Sequence, residues 1–220
     1  MVYKMLSPQY FEQNNLHTIK NILILGDSHL VGDFGEYLHL GLHQNYNCDI
    51  TSIAIAGAGS MHYVLTMTNF CCGYKIRQSC AYDTLSYGKI KVIESKGYGD
   101  SSIVAPQYGG KLRLFLPAVN PDLVLLVLGS NYTNAHQELI EIIRAYNQKI
   151  PIIWIGPFKR ANIAMRLNLI KPIVKYNKNV HLIRSDDIIG NDSIMMFHFE
   201  GKSAREWANK IVERMFQIIK

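Results

Sequence analysis

Charge is scarce in this chain. Only 18% of its 220 residues are Asp, Glu, Lys or Arg, and the excess of 23 basic over 17 acidic residues, which sets the formal charge at +6, gathers into no Lys/Arg cluster. A basic balance favours polyanions only when it is concentrated, so no nucleic-acid partner is expected. No apolar run is long enough to cross a bilayer, which removes a transmembrane segment. Met1 to Lys20 is too polar for a signal peptide. The expected compartment is therefore the cytoplasm, or the periplasm or exterior if a leader has been removed, and the sequence does not choose. A Pro/Gly/Ser-rich linker is also missing, and with 48% hydrophobic residues the whole of 1–220 reads as one domain with a full core.

Cysteine is sparse too: Cys48, Cys71, Cys72 and Cys80. Their spacing does not suit paired CxxC zinc sites, and the adjacent pair is poorly placed to give two ligands. Two readings stay open, a disulfide from Cys71 or Cys72 to Cys80 that would argue for an oxidising compartment, and reduced thiols throughout. No metal and no cofactor is called for.

What the chain does contain is a series of short apolar runs that end abruptly in small polar residues. Ile22 to Leu25 is an unbroken run of the kind shown by a parallel strand buried on both faces, and it stops at Gly26-Asp27-Ser28-His29. In open α/β sheets that edge is where ligands bind. Taken alone, Asp27 or Ser28 could simply cap the following helix. Leu30 to Tyr46 places Phe34, Leu38 and Leu42 on one stripe of a helix. His39 and His43 share a helical face but lack a third ligand, and are expected to face solvent.

Asp49 to Ile55 has the β-branched content of a second strand and exits into Ala56-Gly57-Ala58-Gly59-Ser60. Glycines there allow close approach to backbone N–H groups. The loop has neither the Lys-Ser/Thr of a Walker motif nor the third glycine of a dinucleotide fingerprint. Residues 61 to 118 are the least regular and are expected to form an elaborated connection with some helix over the site. The run LVLLVLG then ends in Gly129-Ser130-Asn131, placing an amide donor at the same crevice. A helix over Ala135 to Lys149, a strand over Ile150 to Gly156, a helix over Ala161 to Tyr176 and a strand over Val180 to Ile183 follow. The alternation predicts a three-layer α/β/α sandwich around a mostly parallel sheet of five strands. His198 closes the series just before a helix whose apolar face is Ala204, Ala208, Ile211 and Met215.

Four edges thus carry Ser28, Gly57, Asn131 and His198 in that order. The pattern resembles the SGNH hydrolases of the GDSL esterase superfamily, from Gly26 to Trp207. It is closer still to a bacterial branch with GDSHxxGxFG, here Gly26 to Gly35, a later CGY matched by Cys72-Gly73-Tyr74, and a late WA matched by Trp207-Ala208. The resemblance implies a serine esterase: Ser28 as nucleophile, His198 as general base and acid, and an oxyanion hole from the Ser28 and Gly57 N–H groups with the Asn131 amide. Gly59 is the fallback for Gly57. The family usually has Asp three residues before the histidine, and this chain has Met195. Asp192 or Glu200 could substitute, or a backbone carbonyl could orient His198, and the expectation is a Ser-His dyad or Asp192. Asp27 is expected to be structural, its side chain pointing away from that of Ser28. The implied substrate is a short acyl ester, acetyl above all, on a carbohydrate such as bacterial cell-wall glycan. The alternative is a carbohydrate-binding protein that keeps the crevice without turnover.

Overall fold

The computed structural model describes residues 19–65, 73–96, 112–131, 135–157, 163–189 and 198–219. Five strands are parallel and occupy the centre and one side of the sheet: β1 (Asn21–Gly26), β2 (Asp49–Ile55), β5 (Leu123–Val127), β6 (Ile152–Ile155) and β7 (Val180–Ile183). Two more, β3 (Tyr74–Ser79) and β4 (Lys91–Lys96), extend the β2 side antiparallel. The order is β4-β3-β2-β1-β5-β6-β7. The chain leaves β1 in one direction to β2 and later returns to its other side as β5. The strand order therefore reverses at β1, and the crevice beyond its C-terminal end is the natural ligand site.

Side chains along β1 alternate between two cores, as the pleat requires. Ile22 and Ile24 join Leu30, Phe34, Leu38, Leu42, Ala204, Trp207, Ala208, Ile211 and Met215 on one face. Leu23 and Leu25 join Tyr63, Phe115, Leu116, Leu139, Ile140, Ile143 and Ile170 on the other. The first layer is built from α1 (Ser28–Val31), α2 (Asp33–Tyr46) and α7 (Gly201–Ile218), the second from α3 (Ser60–Val64), α4 (Leu112–Val119), α5 (His136–Tyr146) and α6 (Ile163–Tyr176). This is the expected three-layer sandwich, with seven strands where the apolar runs indicated five. The two extra strands, YKIRQS and KVIESK, lie near the sheet edge. Four of the six residues in each are polar or charged, so they show no apolar run. The described part of 61–118 thus widens the sheet beside β2, while 66–72 and 97–111 lie outside the described residues.

The helix expected over Leu30 to Tyr46 is broken at Gly32, whose backbone is extended (φ −83°, ψ −158°). That break lets α2 fold back tightly on α1. A Cβ on Gly35 would stand 1.9 Å from the Leu30 carbonyl oxygen, and one on Gly26 would meet Leu30 Cβ at 2.8 Å. Both positions need glycine for space, whereas nothing lies within 4 Å of a Cβ at Gly32.

The expectation that His39 and His43 face solvent is wrong. Both are buried where α2 packs on β2 and β3. His39 Nδ1 bonds Ser52 Oγ at 2.8 Å and Nε2 bonds Ser79 Oγ at 2.9 Å, while His43 Nε2 donates to the Asp83 carbonyl at 2.9 Å. The hydroxyls that satisfy them lie on strands far off in sequence, one of them an unforeseen strand, so the helical pattern could not place these rings. Burial, reinforced by Arg77 and His43, holds His39 down at about 3. Cys80 is an exposed free thiol and Cys48 a buried one, so of the two readings left open the staple to Cys80 is not formed; Cys71 and Cys72 lie outside the described residues.

Two measurements follow from this packing. Gly35→Ala should lower the unfolding free energy from urea titration by about 3 kcal/mol or more, since the clash is with backbone, while Gly32→Ala should stay within about 0.5 kcal/mol. A histidine held neutral by folding contributes stability that is fully present above its ordinary pKa of 6.5 and is lost as pH falls toward the folded value. The urea midpoint should therefore fall between pH 7 and pH 4.5, and His39→Gln should flatten that decline. An equal slope in the two proteins would contradict the burial of a neutral ring.

Candidate functional site

Ser28 is delivered by the C-terminal end of β1 as the first residue of α1. A four-residue helix has little stability of its own, so its ends must be held from outside. Asp27 holds the first: its buried carboxylate accepts from the His29 N–H at 3.0 Å, and its own N–H donates to the Val127 carbonyl at 3.1 Å. Asp27 is thus the N-cap, in agreement with its expected structural part, and Ser28 is left half-buried beside it. Arg77 holds the second end. Its guanidinium donates from Nη1 to the Leu30 carbonyl at 2.8 Å and from Nη2 to the Val31 and Gly32 carbonyls at 2.7 and 3.3 Å.

The neighbouring edge is the exit from β2. Gly57 is exposed with φ +75°, a conformation that glycine adopts without steric cost, in a turn closed by the Ala58 N–H on the Ile55 carbonyl at 3.0 Å. Gly59 differs, because its N–H donates to His62 Nδ1 at 3.0 Å. Below both, the buried Tyr63 hydroxyl bonds the carbonyls of Gly26 at 2.7 Å and Ile53 at 3.0 Å, joining β1 and β2 where they part. Burial pushes this phenol well above its ordinary range.

On the far side of β1, the chain leaves β5 through Gly129 (φ +118°) and reaches Asn131. Asn131 Nδ2 donates one of its two hydrogens to the Ala58 carbonyl at 2.9 Å. This bond crosses over β1 and ties the third edge to the glycine turn of the second.

His198 is exposed and stands just before α7. Its ring lies 5.2 Å from that of His29, the residue after Ser28. His29 in turn meets Trp207 edge-on at 5.5 Å, and Trp207 stacks on Phe34 at 3.7 Å and touches Phe199 at 5.3 Å. Asp33 makes a second link: one carboxylate oxygen accepts from the Gly201 N–H at 2.7 Å and the other from the Tyr87 hydroxyl at 2.8 Å. Within GDSHLVGDFG and WA, His29, Asp33, Phe34 and Trp207 are therefore the residues that fasten the start of α7 to α1 and to the start of α2. Glu200 is exposed at the N-cap of α7, where its carbonyl accepts from the Ser203 hydroxyl at 2.9 Å. Asp192 and Met195 lie outside the described residues.

Ser28, Gly57 and Asn131 thus follow three adjacent strands, β1, β2 and β5, and His198 adjoins them through His29. Arg77, Asp33 and Tyr63 had no signal in the sequence beyond their polarity, since each acts on an element remote along the chain. No group of three or more His, Cys, Asp or Glu suited to a metal occurs among the described residues.

No protein-family model matches the chain, and no curated protein sequence does. Solved structures share its fold. A family 3 carbohydrate esterase from Clostridium thermocellum aligns with a TM-score of 0.55 at 18% identity, over 91% of this chain and 96% of its own. The periplasmic domain of a lipopolysaccharide acetyltransferase from Salmonella ser. Paratyphi A gives 0.56 at 13% identity, over 91% and 85%. A peptidoglycan O-acetylesterase gives 0.52 at 12% identity, over 91% of each. The sandwich implied by the sequence resemblance is thus the fold of the chain.

Proposed function

We propose that the protein is a serine ester hydrolase that removes short acyl groups, acetyl foremost, from a carbohydrate. The observation that supports this reading is the bond from the Asn131 amide to the Ala58 carbonyl, which ties the exits of β2 and β5 together across β1, the strand that leads into Ser28. In this reading His198 takes the proton of the Ser28 hydroxyl as it attacks the ester carbonyl, then returns it to the leaving alcohol. Negative charge on the carbonyl oxygen meets the Ser28 and Gly57 N–H groups and the second amide hydrogen of Asn131. Gly57 is preferred to Gly59 because the Gly59 N–H is already engaged by His62. Water then releases the acyl group from Ser28.

The substrate class rests on fold-level analogy with a carbohydrate esterase, a peptidoglycan O-acetylesterase and a lipopolysaccharide acetyltransferase, together with the order of the motif residues. No helix among the described residues is long and apolar enough to cross a membrane. Met195, at the usual acid position, favours a Ser-His dyad or Asp192 as the support for His198, and it also motivates the competing reading of a glycan-binding protein without turnover.

The readings separate by hydrolysis of p-nitrophenyl acetate. Wild type should be active, Ser28→Ala inactive, and Asn131→Ala slower by about 10²–10³-fold in kcat. If wild type hydrolyses no faster than Ser28→Ala and a serine-directed phosphonate leaves Ser28 unlabelled, the esterase reading falls and the binding protein remains.

A further inference from the structure

A buried cation that touches no carboxylate needs a reason. Arg77 is 1% exposed, and among the described residues no carboxylate comes within ion-pair distance of it. Desolvating a guanidinium is costly, and the cost is offset only where its donors are well used. All the hydrogen bonds it makes go to one target, the three successive carbonyls of Leu30, Val31 and Gly32 that end the turn carrying Ser28. Without it the Leu30 and Val31 carbonyls would have no donor from their own four-residue helix, while the Gly32 carbonyl also accepts the Glu36 N–H at 3.3 Å.

We propose that Arg77 is a positioning residue for the nucleophile: from β3, 49 residues along the chain from Ser28, its guanidinium sets the orientation of α1 and hence the direction of the Ser28 hydroxyl. The inference rests on the reading of Ser28 as nucleophile. Its geometry is a three-point fork, which a lysine ammonium at the end of a flexible stem does not reproduce. The fork also meets the Leu30 carbonyl that occupies the space above Gly35, so the turn is gripped between α2 on one side and β3 on the other. Burial lowers the guanidinium to about 10, with Glu36, Tyr87 and Asp33 opposing the shift, which leaves it charged near neutrality.

The test compares acylation of Ser28 in wild type, Arg77→Lys and Arg77→Ala, each counted per titratable serine with a fluorophosphonate so that unfolded protein is discounted. Arg77→Lys should acylate roughly 10- to 100-fold more slowly, as expected for a misplaced reacting group. Its KM for p-nitrophenyl acetate should stay within about threefold, because substrate contacts are untouched. Millimolar methylguanidine should accelerate Arg77→Ala and leave wild type unchanged. A purely architectural arginine would lower the thermal midpoint while leaving the rate per titrated serine at the wild-type value. That result in Arg77→Lys, the variant that keeps charge and bulk, overturns the proposal whether or not Arg77→Ala folds. Failure of wild type itself to label at Ser28 would instead remove the hydrolase reading, and this inference with it.

Discussion

The Leu30 carbonyl oxygen sits at a crowded meeting point of three elements. It fills the space where a side chain at Gly35 would begin, and it accepts the Nη1 donor of Arg77. Those two facts force α2 to turn back on α1 and draw β3 in beneath them. The turn that starts at Ser28 is consequently not a loose helix end but a short segment held at Asp27, at Gly35 and at Arg77. The direction of a hydroxyl on so short a helix depends on such grips, because one turn has almost no cooperativity of its own.

The opposite partner, His198, depends on a different kind of contact. It precedes α7, and α7 is joined to α2 by the stack of Trp207 on Phe34 and by the Asp33 bond to the Gly201 N–H. His29 bridges the two systems, standing between the His198 and Trp207 rings. The stretch GDSHLVGDFG therefore supplies, beside Ser28, the side chains of His29, Asp33 and Phe34 that fasten α7 and the segment bearing His198, while Gly35 makes room for the Leu30 carbonyl.

The parallel core was legible in the sequence because a strand buried on both faces leaves a continuous apolar run. Asp49–Ile55 and Val180–Ile183 have the bounds expected of them, LVLLVLG and IPIIWIG contain their strands, and Ile22 to Leu25 lies inside its own. The helix stripes Phe34-Leu38-Leu42 and Ala204-Ala208-Ile211-Met215 were equally plain, and all seven residues are buried. What escaped was structure without an apolar run. The strand YKIRQS carries its charges at half-buried and buried positions, the described side chains of KVIESK are exposed, and the burial of Arg77, His39 and His43 depends on partners on other elements. The order Ser28, Gly57, Asn131, His198 was visible along the chain, but not that an amide bond from Asn131 reaches the Ala58 carbonyl.

By itself, then, the sequence determined the layer architecture and the strand ends that hold the small polar residues, because hydrophobic period and abrupt polar exits are local properties. The tertiary structure alone decided which glycine keeps its N–H uncommitted to His62, where the paired histidines go, and which side chains grip the turn at Ser28. Those outcomes are set by contacts between elements tens of residues apart, and no local pattern encodes a partner that only the folded sheet brings near.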